Sequence, residues 1–272
     1  MTNREYEERL VCYVDILGFS DALTNPEHPC HEDAPKVIFD AINDLKDTGN
    51  PDLEDWEGPL EDLKCTQFSD CVALSCPVCD KNLRKLIRRI ALVQRDLLIS
   101  HFPTRGAITI GKIYHNIDPV VIKKTEAVTE YDSTGYIFGP AFVKAVKLEE
   151  KVAKYPRVII NEEVLNRAQF DKNSHFIDRD CDSVYYVEYF KTWASREVDF
   201  DLDKAHTVIS MGLNRYKDTT TLEKYEWLAR KYNYLAKKYN SLAKKHNLDM
   251  QKKNICSPDD VWFPLFYVEP VE

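Results

Sequence analysis

The sequence predicts an α+β fold, an antiparallel-rich sheet with helices packed on it, followed by a C-terminal helical extension. Three observations predict it. Short apolar or alternating segments of strand length are interleaved with longer segments whose apolar residues fall at helical spacing. Clusters of Gly, Pro and Asp mark the breaks between them. The last seventy or so residues change character and carry a seven-residue repeat. The 272 residues are enough for one large domain, or a domain plus an extension, and the division expected is 1–200 and 201–272.

Each element has its own warrant. Residues 10–16, Leu-Val-Cys-Tyr-Val-Asp-Ile, with Leu17 beyond, form an apolar run bounded by Gly18 and read as a buried strand. Gly18-Phe-Ser-Asp then opens a helix that Ser20 or Asp21 can cap. Pro35 to Asp47 spaces Val37, Ile38, Ile42 and Leu45 as a helix does, and 48–60 reads as a loop. Leu63 to Cys76 reads as two strands folded back at Ser69-Asp70. A long amphipathic helix over about 80–101 carries Leu83, Leu86, Ile87, Ile90, Val93 and Leu97 on one side. Arg105 to Ile113 is a strand, and a less regular stretch runs on to Tyr136. Gly139-Pro140 opens a helix to Val152, since a proline in the first turn gives up no hydrogen bond. Arg157 to Ile160 and Ser183 to Phe190 are further strands. The order β-α-β-β-α-β-α-β is similar to a ferredoxin-like core with additions.

In the extension, Tyr225, Tyr232 and Tyr239 alternate with Leu228, Leu235 and Leu242 over three heptads, which predicts a long helix. So few heptads suit a helix lying on the protein's own body as well as a free coiled coil. Val261 to Val268 (VWFPLFYV) is apolar enough to require a packing surface.

Composition removes several function classes. The formal charge of −8 argues against a nucleic-acid scaffold, which needs a basic footprint. Nothing approaches the roughly 20 apolar residues of a membrane span. The opening MTNREYEERL mixes charges and does not read as a secretory leader, so a cytoplasmic protein is expected. In that compartment the eight cysteines are free thiols rather than bridges. Cys76-Pro-Val-Cys79 lacks the second pair a structural zinc site needs.

Two carboxylates stand out by position, Asp15 at the end of the first strand and Asp70 at the hairpin tip. If that strand lies beside the hairpin, both converge on one point. With the Ile16 main-chain carbonyl they form an oxygen-only cage suited to Mg²⁺ or Mn²⁺. The turn Leu17-Gly18-Phe19-Ser20 adds backbone N–H groups at a helix start, where phosphate is favoured. Singly, these are ordinary turn residues. Arg105 is a candidate for countering phosphate charge, while Lys64 is assigned to a pair with Glu61 and the histidines, His115 among them, to no catalytic task.

In order, Val14-Asp-Ile-Leu-Gly-Phe-Ser20, Phe68-Ser-Asp-Cys-Val-Ala73, Arg105-Gly-Ala-Ile108 with Gly111, and Gly139-Pro-Ala-Phe-Val143 ahead of Leu148-Glu149 resemble the successive motifs of class III nucleotide cyclases. The match runs from about residue 8 to 190. The short Gly-Phe-Ser and Phe-Ser-Asp versions resemble the pyrimidine cyclases of bacterial Pycsar anti-phage systems. The resemblance implies a class III cyclase core as catalytic domain, a homodimer with composite interface sites, two Mn²⁺ or Mg²⁺ per site, and UTP or CTP as substrate. It implies a 3′,5′-cyclic monophosphate as product and a downstream effector that reads it. Asp15, Ile16 and Asp70 fall on the metal positions and Phe19 and Gly18 in the phosphate turn. Val143 and Lys147 stand where the purine enzymes carry Asn and Arg; Lys147 keeps the charge as a point rather than a fork. Tyr136 and Thr66 stand at the positions that read adenine with a carboxylate and a lysine, which speaks against purines.

The reading is therefore a uridylate cyclase making cyclic UMP, with cyclic CMP from CTP the near rival. A catalytically degenerate module that binds nucleotide and signals through its heptad helix is the alternative of another class. An acidic scaffold, with Asp15 and Asp70 as mere turn residues, is the third.

Overall fold

The computed structural model describes residues 6–46, 60–124, 129–168, 170, 174–191 and 198–245. Apart from Leu60, the loop expected over 48–60 lies outside the described residues, as does the apolar segment 261–268. The chain divides into two compact units, Met1–Asp201 and Leu202–Glu272.

The first unit is a mixed α+β layer structure. Its strands are β1 (Glu7–Ile16), β2 (Lys64–Phe68), β3 (Cys71–Pro77), β4 (Thr104–Lys124), β5 (Thr129–Phe138), β6 (Val158–Ile160), β7 (Ile177–Arg179) and β8 (Tyr185–Val187). Its helices are α1 (Phe19–Thr24), α2 (Ala34–Lys46), α3 (Asp80–Ile99), α4 (Pro140–Lys151) and α5 (Glu162–Arg167). The strand order is β2-β3-β1-β4-β6-β8-β7, with β5 paired to β4 alone. β1 lies antiparallel between β3 and β4, and β2 antiparallel to β3. With α1 and α2 between β1 and β2, and α3 between β3 and β4, this is the split ferredoxin-like arrangement that the element order predicts.

Alternation sorts the side chains of β1. Leu10, Cys12 and Val14, level in that order with Cys76, Leu74 and Val72 of β3, are buried, as is the apolar side of α3, Leu83, Leu86, Ile87 and Ile90. The other face carries Val11 and Tyr13, which join Ile113, Ala141, Ala145 and Phe142 in a cluster beneath α4. Asp15 is on that second face, and so the functional candidates lie on the α4 side of the sheet.

Several sequence expectations change. The described part of the stretch between Ile113 and Tyr136 is not irregular: β4 runs on to Lys124 and pairs with β5, Tyr114 opposite Phe138. β4 pairs with β1 only as far as Ile113, and beyond that point β5 is its sheet partner, so the alternation of a strand inside the sheet is not required of the sequence there. Gly18, not Ser20 or Asp21, sits at the start of α1, in the left-handed conformation (φ 81°). The helix begins at Phe19, two residues earlier than a cap at Ser20 requires. The strand expected over Ser183–Phe190 shrinks to Tyr185–Val187, because Ser183 adopts a left-handed turn (φ 65°). Lys64 pairs with Glu7 at 3.7 Å, while Glu61 pairs with Lys81 at 3.2 Å. The described cysteines are free, including Cys76 and Cys79.

The described part of the second unit contains all but the first four residues of α6 (Val198–Arg215), and α7 (Leu222–Lys245). α7 carries the heptads, with Tyr225, Leu228, Tyr232 and Leu235 buried. α6 was hidden from pattern reading because its opening, Val-Asp-Phe-Asp-Leu-Asp, alternates like a strand. A Cβ on Gly212 would lie 2.0 Å from the Tyr225 ring, so glycine is what lets the two helices approach there. No helix among the described residues is long and apolar enough to cross a membrane.

Candidate functional site

Strand register assembles the site. Asp15 is level with Cys71 on one neighbour and Arg105 on the other. Residues in register on an antiparallel sheet share a face, so the three side chains point the same way. Asp70 precedes Cys71 at a tight turn in which Ser69 takes φ 52°. The end of β1 is held from both sides: Ile16 N–H donates to Asp70 O (3.0 Å) and Leu17 N–H to Pro103 O (2.8 Å). The N–H and C=O of one extended residue point to the same side, which turns the Ile16 carbonyl toward the hairpin as well.

One ligand atom from each of Asp15, Asp70 and Cys71 lies within 4.8 Å of the others, the only such group among the described residues. All three side chains are half-buried. Cys71 Sγ points its weak donor at Asp15 Oδ1 (3.5 Å) and Asp70 Oδ1 (3.6 Å). Burial, and then the two carboxylates, push the Cys71 thiol up to about 12, although a hydrogen bond from Tyr13 works the other way. The thiol is therefore protonated at neutral pH and bridges two anions as a neutral donor. Two carboxylates converging on one point repel each other unless a cation joins them. This donor set, oxygen-rich and half-exposed, fits a hard divalent ion.

Arg105 borders this group. Its Nε donates to Asp15 Oδ2 at 3.0 Å and lies 2.5 Å from Glu149 Oε1. Glu149, 3% exposed on α4, was passed over as a site residue. Its signal was available: Ala141, Ala145 and Glu149 recur every four residues, so a carboxylate occupies the sheet-facing row of that helix. Lys147 is exposed, and two residues from Glu149 is about 200° around a helix, so it projects away from Asp15.

The remaining candidates are spread out. Phe19 is half-buried on α1 and Gly18 forms the turn between Asp15 and that helix. Tyr136, on β5, is 56% exposed. Thr66 is 7% exposed, beneath Gly135, whose added Cβ would meet its hydroxyl at 2.2 Å. Thr66 Oγ1 is 3.0 Å from His115 Nε2, His115 Nδ1 is 2.8 Å from Ser75 Oγ, and Arg9 Nε donates to Ser75 Oγ at 3.0 Å. Arg9 continues to Asp62 at 2.6 Å. Ser75 accepts from Arg9, and which His115 ring nitrogen donates to its hydroxyl neighbour is set by the tautomer. Burial first, then Arg9 and Lys64, lower His115 to about 4, keeping it neutral.

No protein-family model matches the chain, and no curated protein matches it. Among solved structures, it is similar to one described as the crystal structure of the catalytic core of a rhodopsin-guanylyl cyclase with converted specificity in complex with ATPalphaS. That match has 13% sequence identity and a TM-score of 0.39, and covers 69% of this chain and 98% of the other.

Proposed function

We propose that residues 1–200 form a pyrimidine nucleotide cyclase domain that converts UTP to 3′,5′-cyclic UMP and pyrophosphate, with 201–272 as a helical extension. The observation that carries the reading is the convergence of Asp15 and Asp70 from two segments, pinned by the Ile16–Asp70 hydrogen bond, within the ordered motifs that resemble class III cyclases.

The residues divide the work. Asp15, Asp70 and the Ile16 carbonyl hold the divalent ions, Mn²⁺ or Mg²⁺. When bound, these supply the charge that acidifies the ribose 3′-hydroxyl and stabilises the departing pyrophosphate. The 3′-oxygen bonds to the α-phosphorus, the bond to the bridging oxygen breaks, and the 3′ proton passes to solvent. Gly18 and Phe19 present the backbone turn beside the phosphates. Arg105 offsets charge next to Asp15.

The exposed position of Lys147 supports a homodimer, because a second copy has to bring that cation to the phosphates. Phe68, Tyr136, Phe138 and Val143 are large apolar side chains left exposed on this unit, a surface a second copy would cover. In Tyr136 and Thr66, the resemblance places a phenol and a hydroxyl where purine enzymes use a carboxylate and a lysine. The same resemblance makes the product a second messenger of anti-phage defence, in the cytoplasm, read by a cyclic-nucleotide effector. CTP remains the rival substrate. A binding module without turnover is the second reading, favoured by the distance of Lys147 from Asp15 if the chain stays monomeric.

The test is to incubate the purified protein with each of the four nucleoside triphosphates and Mn²⁺ and to identify products by mass spectrometry. Cyclic UMP is expected. Cyclic CMP moves the assignment to CTP, a purine product alone overturns pyrimidine use, and no product with any triphosphate favours the binding module.

A further inference from the structure

We infer that Glu149 is a positioning residue for metal loading: it is the resting place that takes Arg105 off Asp15 when a divalent ion enters. The inference rests on the reading of Asp15 and Asp70 as metal ligands. Its own basis is a shared nitrogen. Arg105 Nε makes its hydrogen bond to Asp15 Oδ2 at 3.0 Å, while Glu149 Oε1 lies 2.5 Å from the same atom. The N–H hydrogen is given to Asp15, and Glu149 Oε1 stands at ion-pair distance from the same nitrogen without accepting it.

The environments of the two carboxylates differ in a way that sets a direction. The Asp15 side chain is 15% exposed and stands beside Asp70, so a second cation can reach it. The Glu149 side chain is 4% exposed on the inner row of α4, so only a group already inside the unit can serve it. A buried carboxylate is stabilised by a cation in contact with it, so Glu149 keeps its attraction for the guanidinium whatever happens at Asp15. With no metal, Arg105 supplies positive charge to Asp15 and blocks one of its oxygens. With metal, the repulsion between ion and guanidinium moves the Nε hydrogen to Glu149, a shift of rotamer scale because the acceptor is already in contact.

Glu149 thereby determines how strongly Arg105 competes for Asp15. Among the described residues, neutralising Glu149 leaves Arg105 one ion-pair partner, Asp15, and strengthens the competition. Removing Arg105 abolishes it and makes the Glu149 effect disappear. A merely structural Glu149 would change stability without this dependence, and a long-range charge effect would persist when Arg105 is gone.

The experiment measures Mn²⁺ binding to the nucleotide-free protein by the loss of the free-ion EPR signal. It compares the unmodified chain, Asp70→Asn, Glu149→Gln, Arg105→Gln and the Arg105→Gln/Glu149→Gln pair. The expected results are about tenfold weaker binding in Glu149→Gln, and binding at least as tight as the unmodified chain in the pair. If Glu149→Gln does not fold, Glu149→Asp, which shortens the arm, is expected to weaken binding in the same direction. Unchanged or tighter binding in Glu149→Gln, or an equal weakening with and without Arg105, overturns the inference while leaving the metal site standing. No Mn²⁺ binding by the unmodified chain, or binding that survives Asp70→Asn, overturns the metal site itself and the inference with it.

Discussion

The backbone N–H of Ile16 donates to the carbonyl oxygen of Asp70 at 3.0 Å, tying the end of the first strand to the tip of the hairpin fifty-odd residues later. This bond makes two local turn residues into one site. Asp15 precedes its donor and Asp70 carries its acceptor, so the two carboxylates move as a pair.

Replacing Asp70 by Asn keeps size and turn preference while removing one anionic ligand. On the proposed reading, cyclase turnover is expected to fall by about a thousandfold or more, since removing a group that stabilises developing charge costs several kcal/mol. The melting temperature is expected to stay within a few degrees, because the Asp70 side chain is half-buried at a turn. Steady-state rates with Mn²⁺ and a thermal melt check both halves.

Cys71 distinguishes a hard ion from a soft one. Cys71→Ser retains a donor between Asp15 and Asp70, and a hydroxyl donates to carboxylates better than a thiol does. Activity is expected within about threefold of the unmodified chain. A loss beyond about tenfold, with zinc retained on the unmodified protein by elemental analysis, would show the sulfur to be a ligand.

His115 sets a pH dependence of stability. Its folded value, near 4, lies below the ordinary 6.5, so between those pH values the unfolded chain binds more protons and stability declines as pH falls. Moving from pH 7.5 to pH 5 is expected to remove about 2 kcal/mol, and His115→Gln should flatten that part of the profile. Urea midpoints at the two pH values measure it.

Gly106→Ala tests the centre of the sheet. The added Cβ would lie 2.2 Å from the Tyr13 carbonyl oxygen, a backbone atom of the paired strand that cannot step aside. A loss of about 3 kcal/mol is expected, with a melting temperature lower by roughly 6–12 °C. A change below about 1 kcal/mol would show that β1 and β4 are less rigidly paired than the register implies.

The sequence by itself determined the α+β class and the split order of its core, because strand and helix periods are local properties of the chain. It also singled out Asp15 and Asp70 as candidates, through their places at a strand end and a hairpin tip, and the fold brings the two together. It did not reveal the long β4–β5 ribbon, whose outer part has no sheet partner but β5 to enforce alternation, or α6, whose opening mimics a strand. Glu149 and Cys71 entered the site only when strand register and the inner row of α4 brought them beside Asp15. The same tertiary packing placed Thr66 beneath Gly135 on His115 and left Lys147 facing outward. Which side chains meet across strands depends on pairings between distant segments, and that choice is made by burial of the whole sheet rather than by any one stretch of sequence.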